Sequence, residues 1–296
     1  MNYERFKKKM MEQILDHLPE GEEGWTVKME QIPKVNRILD GMVLIPPENG
    51  AVPYGVGLTF YMEDYYALFQ KGMPLEQILD QIAQMTADCA PPETLTDAFF
   101  HPKSMKQQIV IELIHRERNQ ALLEDLPHRD FLDLAAIYRI LMKDEECGYF
   151  CTTVNYKMMK LLEMTEEELH QAALMYMPLE LPFGIRNFDN QFLILSNSQQ
   201  MFGASALLFP DVLDMACEEL GGNVYILPAS RDKLCIEREN PQRLKELQKM
   251  LWDFYHMGDD PDDMLSDQIY FYRRHSGQVQ ITAQASGCAD EEGGRP

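Results

Sequence analysis

Residues 224–236 read VYILPASRDKLCI, and this stretch decides the fold class. It holds two short apolar runs, Val224–Leu227 and Lys233–Ile236, which are separated by residues 228–232. Short apolar runs bounded by turn residues predict a strand in each. A parallel connection needs a crossover of about a dozen residues or more. The linker is much shorter than that, so the two predicted strands can be neighbours only in antiparallel orientation.

Short predicted strands and helices also lie on both sides of this stretch. Pro210 begins a predicted helix that Gly221-Gly222 ends, because glycine readily adopts the positive φ of a helix C-terminus. A second helix is predicted for Pro241–Tyr255. Further strands are predicted at Phe192–Leu195, Ala204–Phe209 and Gln268–Arg273. Strands in clusters with helices between them indicate an α+β fold with largely antiparallel sheets and flanking helices.

The N-terminal part of the chain shows the same mixture of periods. The run Phe131–Met142 fits a helix and a strand equally well, and the two interpretations stay open. Thr165 and Glu168 have the spacing of a capping box at the start of a helix. Helices are predicted at residues 3–18, 63–70, from 74 onwards, 154–162 and 165–176, and strands at 25–31, 37–45, 56–61 and 105–115.

A proline- and glycine-containing stretch, Pro178–Arg186, predicts a boundary between two subdomains. Residues 1–180 would form a larger α+β region, and residues 187–283 a smaller unit of sheet and helix. The small, polar and acidic residues 284–296 predict a disordered tail.

Charge and hydropathy exclude several classes of protein. The formal net charge is −21, from 27 basic and 48 acidic residues, and such a surface repels phosphate backbones and anionic lipids. We therefore expect the chain to bind no nucleic acid and no membrane. No apolar run reaches the roughly 18 residues of a transmembrane helix, and the N-terminus lacks the apolar stretch of a secretory signal. These features predict a soluble, cytoplasmic protein.

Three motifs suggest chemistry but are incomplete. His128-Arg129-Asp130 spells the kinase catalytic triplet, but Ala135 stands where that loop needs asparagine. Ser205 lacks the glycine that a nucleophile elbow requires two residues later. The acidic run Asp259–Asp263 does not have the ligand spacing of a calcium loop. The six cysteines are dispersed, without a second pair at zinc-ligand spacing. We therefore expect neither a metal nor a cofactor.

The segment Pro127–Asp133 is the best candidate for a functional surface, and its candidate residues are His128, Arg129, Asp130 and Asp133. In one interpretation Asp130 or Asp133 caps a helix, and Arg129 pairs with a nearby carboxylate. In the other, His128 and Arg129 line a pocket in which the arginine holds an anion. The first predicts a loss of about 1 kcal/mol for either aspartate replaced by alanine.

Several stretches together resemble the domain-of-unknown-function family 5688, a family of gut Clostridia. They are Met62–Tyr66, Leu126–Ala135, Gly203–Leu213 and Gly221–Pro228, and the likeness extends from about Tyr3 to Ile281. The resemblance supplies no catalytic residues. It implies that Pro127, His128, Arg129 and Asp133 belong to a segment that defines the family.

Three functions remain open at this stage. The leading hypothesis is a non-catalytic regulatory or interaction protein whose partner is another protein, because the chain has no complete site motif and its 20 methionines can adapt to a partner surface. The first alternative is a hydrolase-like enzyme whose site is assembled from distant residues. The second is an acidic decoy of nucleic acid.

Overall fold

The computed structural model contains two compact units, Met1–Phe100 and His101–Pro296. It describes residues 1–18, 24–46, 58–88, 102–144, 148–188, 192–257 and 263–284. Val56 in the third predicted strand, residues 259–262 of the acidic run and residues 285–296 of the predicted tail lie outside these ranges. No helix in the described ranges is long and apolar enough to cross a membrane.

In its described residues, the first unit is a three-stranded antiparallel sheet packed against three helices. Strand β2 pairs with β1 on one side and β3 on the other. Phe6, Met10 and Ile14 recur every four residues on α1, so they share one face and are wholly buried. They pack with residues of β2 and α3 into one core. The bounds are α1 Tyr3–His17, β1 Thr26–Lys34, β2 Arg37–Ile45, β3 Leu58–Tyr61, α2 Met62–Gln70 and α3 Leu75–Asp88.

The second unit begins with a four-stranded antiparallel sheet around one long strand, β6 (Leu134–Asp144). Strand β4 (Ile109–His115) pairs along one edge of β6, while β5 (His128–Phe131) and β7 (Gly148–Thr153) share the other edge. Every residue of β4 is buried. Side chains on both faces of β6 are buried, so its apolar run is continuous, and this is why its period alone fits a helix as well as a strand.

Three helices accompany this sheet: α4 (Gln120–Leu123), α5 (Tyr156–Leu161) and α6 (Glu166–Glu180). Helix α6 packs against β4. It begins with the predicted capping box, in which the Thr165 hydroxyl accepts from the Glu168 amide and the Glu168 carboxylate accepts from the Thr165 amide.

A six-stranded sheet follows, with every pair antiparallel and the spatial order β13-β12-β10-β11-β9-β8. Helix α8 (Leu244–Met257) covers one face, where Leu247 and Leu251 pack against residues of β9, β10, β11 and β12. Helix α7 (Pro210–Leu220) packs against β10 and β11. The strands are β8 Phe183–Asn187, β9 Phe192–Asn197, β10 Val224–Ser230, β11 Lys233–Arg238, β12 Gln268–Tyr272 and β13 Val279–Gln284.

The α+β class with antiparallel sheets is confirmed, but two of the predicted strands differ from the observed elements. The predicted strand Ala204–Phe209 is a 3-10 helix, Gly203–Leu208, and the predicted strand Met105–His115 begins only at Ile109, after the 3-10 helix Pro102–Gln108. The first segment is apolar enough to resemble a strand, whereas Met105–Gln108 is mostly polar and runs without a break into the apolar strand. In the first, the Ala204 amide donates to the Arg231 carbonyl oxygen at 3.1 Å, and Gly203 lies close to Asp232 in the same turn.

The structure divides the chain near residue 100, whereas the sequence predicts a boundary at Pro178–Arg186. Pro178 lies within α6, and the end of the stretch is strand β8. Hydrogen bonds also join the regions on either side of it. The buried Ser205 hydroxyl, for example, donates to the Ile111 carbonyl oxygen at 2.7 Å. Residues 187–283 therefore share one compact unit with residues 102–180.

Candidate functional site

The predicted site segment forms a β-hairpin. His128–Phe131 is strand β5, which pairs with the start of β6 so that Phe131 lies opposite Leu134. Leu132 and Asp133 form the two-residue turn, and Leu132 adopts a φ of 56°. The helix-capping interpretation of Asp130 and Asp133 is wrong, because both belong to the hairpin.

The structure does not bring the four candidate side chains to one place. The Nδ1 atom of the His128 ring lies 2.8 Å from the Leu126 carbonyl oxygen. Arg129 forms an exposed ion pair with Glu167 on α6. Asp130 accepts from Arg116 at 2.8 Å, also at the surface.

Asp133 is the one member of this set with a largely buried network. Its carboxylate accepts from the Ser266 hydroxyl at 2.5 Å and from the Tyr270 hydroxyl at 2.7 Å. The Ser266 amide in turn donates to the Tyr255 hydroxyl at 2.8 Å. Burial raises the pKa of Tyr270, and the adjacent Asp133 raises it further, so this phenol stays protonated and remains a donor. Asp133 therefore holds the hairpin turn against β12.

A second polar cluster surrounds Glu112, which is 0% exposed. Its carboxylate accepts from Arg139 Nε and from Arg231 Nη1, each at 2.6 Å. Arg139 also donates to Thr153 on β7. The Arg231 Nη2 atom lies 3.5 Å from Oδ1 of Asp263. The cluster joins the four-stranded sheet to the turn between β10 and β11. Sequence reasoning missed it because Glu112 resembles an ordinary polar residue of an alternating strand.

A cleft lies elsewhere among the described residues, along the β8 end of the six-stranded sheet. This cleft has a volume of about 650 Å³. Its lining combines two cations, two acids and several hydroxyl and amide side chains with the apolar residues Pro182, Ile185 and Ile194. Other lining residues are Gly184, Arg186, Ser196, Asp232 and Lys233.

The floor of the cleft is fixed by hydrogen bonds to Asp232. Its carboxylate accepts from the Phe202 amide at 2.7 Å, and its carbonyl accepts from the Ser196 hydroxyl at 2.5 Å. Its own amide donates to the Ser230 hydroxyl at 3.2 Å. Phe202 adopts a φ of 55°, a strained conformation for a residue with a side chain. The bonds to Asp232 hold this loop in place.

Charge is unevenly distributed within the cleft. Burial raises the pKa of the Asp232 carboxyl, and Asp263 and Glu112 raise it further, while the Phe202 amide and Arg231 oppose them. Arg186 and Lys233 are exposed, and neither forms an ion pair or hydrogen bond through its side chain with another described residue. The two side chains best placed to meet an incoming group are therefore cationic.

The cleft adjoins a strand edge that no other described strand covers. Strand β8 is the last in the sheet order and pairs only with β9. The Phe188 amide donates to the Phe192 carbonyl at 2.9 Å, which fixes the alternation of the ladder. By antiparallel geometry, Gly184 and Arg186 then direct their backbone groups to β9, whereas Phe183 and Ile185 direct theirs outward. We call this outward side of Phe183–Asn187 the open edge of β8.

The sequence predicts a boundary between subdomains in the region of β8, because of Pro182 and Gly184. The available signal was the alternation in Phe183–Asn187, which is too short and too polar to stand out. The described residues contain no group of three or more histidine, cysteine or acidic side chains that could hold a metal ion.

One family model matches nearly the whole chain. The model described as "Family of unknown function (DUF5688)" matches residues 3–193 and 186–274. The chain therefore belongs to this family, as the resemblance of its sequence stretches predicts. No curated protein and no solved structure matches the chain.

The floor of the cleft gives a first testable prediction. We expect Gly203→Ala to lower the free energy of unfolding by about 1–3 kcal/mol, as overpacking does, because a Cβ there would lie 2.2 Å from the Asp232 carbonyl oxygen. Urea denaturation followed by circular dichroism measures the change. Gly184→Ala is the matched control, since a Cβ at Gly184 meets nothing within 4 Å. Equal unfolding midpoints for the two variants would contradict the prediction.

Proposed function

We propose that the protein is a cytoplasmic, non-catalytic interaction protein that binds an extended segment of another protein as an additional strand on the open edge of β8. The observation that carries this proposal is that edge, which borders a cleft and is left unpaired by the other described strands. An exposed strand edge is a template for pairing with another chain. Main-chain hydrogen bonds then supply affinity, and pockets for alternate side chains supply specificity.

The geometry of β8 suits this role. Phe183 and Ile185 point their amide and carbonyl groups away from β9, so an added strand can pair without disturbing the existing ladder. Phe188 follows the strand and is 70% exposed. An exposed aromatic residue beside a strand edge is a typical anchor for a partner.

The hydrogen bonds within the cleft support binding over hydrolysis. A serine nucleophile needs its hydroxyl next to a general base. The Ser196 hydroxyl instead donates to a backbone carbonyl, and the Ser230 oxygen accepts a backbone amide. These hydroxyls position the loop that forms the floor.

The test begins with a random linear peptide library displayed on phage and selected on the full-length protein. We expect selected peptides to slow hydrogen exchange at the Phe183 and Ile185 amides, because both amides become hydrogen-bonded in the complex. Ile185→Pro should abolish binding, since proline removes an outward amide without breaking a bond to β9. Residue-resolved hydrogen exchange and binding titrations measure these effects.

Ile185→Val is the matched control, because valine retains the amide and a β-branched side chain. We expect it to bind the peptides as the native chain does. Selection of no peptide, unchanged binding to Ile185→Pro, or protection confined to another surface would each show the proposal to be wrong.

A further inference from the structure

We infer, resting on the proposed function, that the partner segment runs antiparallel to β8 and presents a bulky side chain opposite Gly184, an acidic one opposite Arg186 and an apolar one opposite Phe188. Read from its N-terminus, the segment has the pattern apolar–x–acidic–x–bulky. The three positions lie on one face of the sheet, where Gly184 and Arg186 line the cleft, and the intervening residues lie on the other face.

The orientation follows from the sheet itself. All five pairs of neighbouring strands in it are antiparallel, and antiparallel pairing is slightly more stable per residue than parallel pairing. Because Ile185 would form the hydrogen-bonded pair with the new strand, Gly184 and Arg186 fall at non-hydrogen-bonded positions. Side chains approach each other most closely at such positions.

Gly184 specifies the bulky residue. It lies opposite Ser196 in the ladder, and the space where its side chain would be is empty to at least 4 Å. A glycine within a strand leaves the neighbouring face uncovered. A large side chain on the added strand, above all an aromatic one, fills that space and covers the exposed backbone.

Arg186 specifies the acidic residue. It lies opposite Ile194 and lines the cleft together with Lys233. A carboxylate on the added strand would face the Arg186 guanidinium as a cross-strand ion pair, with Lys233 at the same cleft. An opposite-charge pair of this kind contributes roughly 0.2–1 kcal/mol. Both cations lack an ion-pair partner among the described residues, so no existing interaction has to be broken.

Phe188 specifies the apolar residue. Its amide continues the pairing with β9 beyond Asn187, so an added strand of five residues reaches it. Contact with an apolar side chain would remove part of the exposed ring from water. Aromatic cross-strand pairs contribute roughly as much as an ion pair.

Two labelled synthetic peptides test the pattern. The first is Ser-Thr-Val-Thr-Glu-Thr-Tyr-Thr-Ser, and the second has lysine in place of its glutamate. We expect the native protein to bind the glutamate peptide about 3- to 5-fold more tightly, which corresponds to a pair worth somewhat under 1 kcal/mol. The protein's charge of −21 favours the lysine peptide at long range. A preference for glutamate therefore reports the local pair, and fluorescence polarisation measures it.

Reversal of the preference in Arg186→Glu would support the inference. Arg273→Glu is the control, because it changes the net charge equally at an exposed position on β12's end, and it should leave the preference unchanged. Equal binding of the two peptides, a preference for lysine, or no binding of either would overturn the inferred pattern. The proposed function is tested separately, by whether binding of the library peptides requires the Ile185 amide.

Discussion

Replacing Glu112 by alanine is expected to lower the free energy of unfolding by about 3–5 kcal/mol, as removal of one partner from a buried ion pair does. The carboxylate is wholly buried between Arg139 and Arg231, with both hydrogen bonds at 2.6 Å. Without it, two guanidinium groups that are each largely buried would face each other with one countercharge fewer. The remaining Asp263 is half exposed and lies farther from Arg231.

Urea denaturation of the native chain and the variant measures this loss. Glu167→Ala is the control, since it removes an exposed ion pair with Arg129, and exposed pairs contribute little to stability. A loss for Glu112→Ala no larger than that of the control would contradict the role assigned to the cluster.

Asp133→Ala is expected to have the next largest effect, a loss of about 2–4 kcal/mol. The variant leaves the Ser266 and Tyr270 hydroxyls without their acceptor, and both residues are wholly buried. Each buried polar group that loses its partner costs about 1–3 kcal/mol. This exceeds the loss that a helix cap would produce, because Asp133 joins a hairpin turn to a distant strand.

Asp130→Ala provides the comparison within the same hairpin. Asp130 contacts Arg116 at the surface, so we expect a loss below about 1 kcal/mol. Thermal or urea denaturation of both variants gives the difference. Similar losses for the two aspartates would show that Asp133 has no special anchoring role.

Local signals predicted the elements whose ends are set by their own residues. The capping box at Thr165 and the strand Arg37–Ile45 are as predicted, because side-chain caps and strand alternation act within a few residues. Strands β5 and β8 were missed because each is only four or five residues long and carries polar residues. The run of β6 fits a helix as well as a strand because its side chains are buried on both faces of the sheet.

The polar contacts that organise the second unit could not be predicted in the same way. Asp133 meets Ser266 and Tyr270 across 133 and 137 residues of chain. The cleft likewise combines β8, β9 and the β10–β11 turn. Such contacts depend on how the sheets pack, and neither the composition nor the hydrophobic periodicity of a segment predicts this packing. The surface predicted at His128, Arg129 and Asp130 rests on residue types alone, and the structure gives these three side chains separate partners.

The contact between Glu112 and Arg231 also bears on how the chain folds during synthesis. The two residues are 119 positions apart, so at about 5–20 residues per second the ribosome adds Arg231 roughly 6–24 seconds after Glu112. Once β7 has been added, the four-stranded sheet has its strands and Arg139 but only half of the charge pairing around the Glu112 carboxylate. We expect the nascent sheet to remain loosely packed until the β10–β11 turn emerges. The second unit then consolidates late, with its sheets forming together.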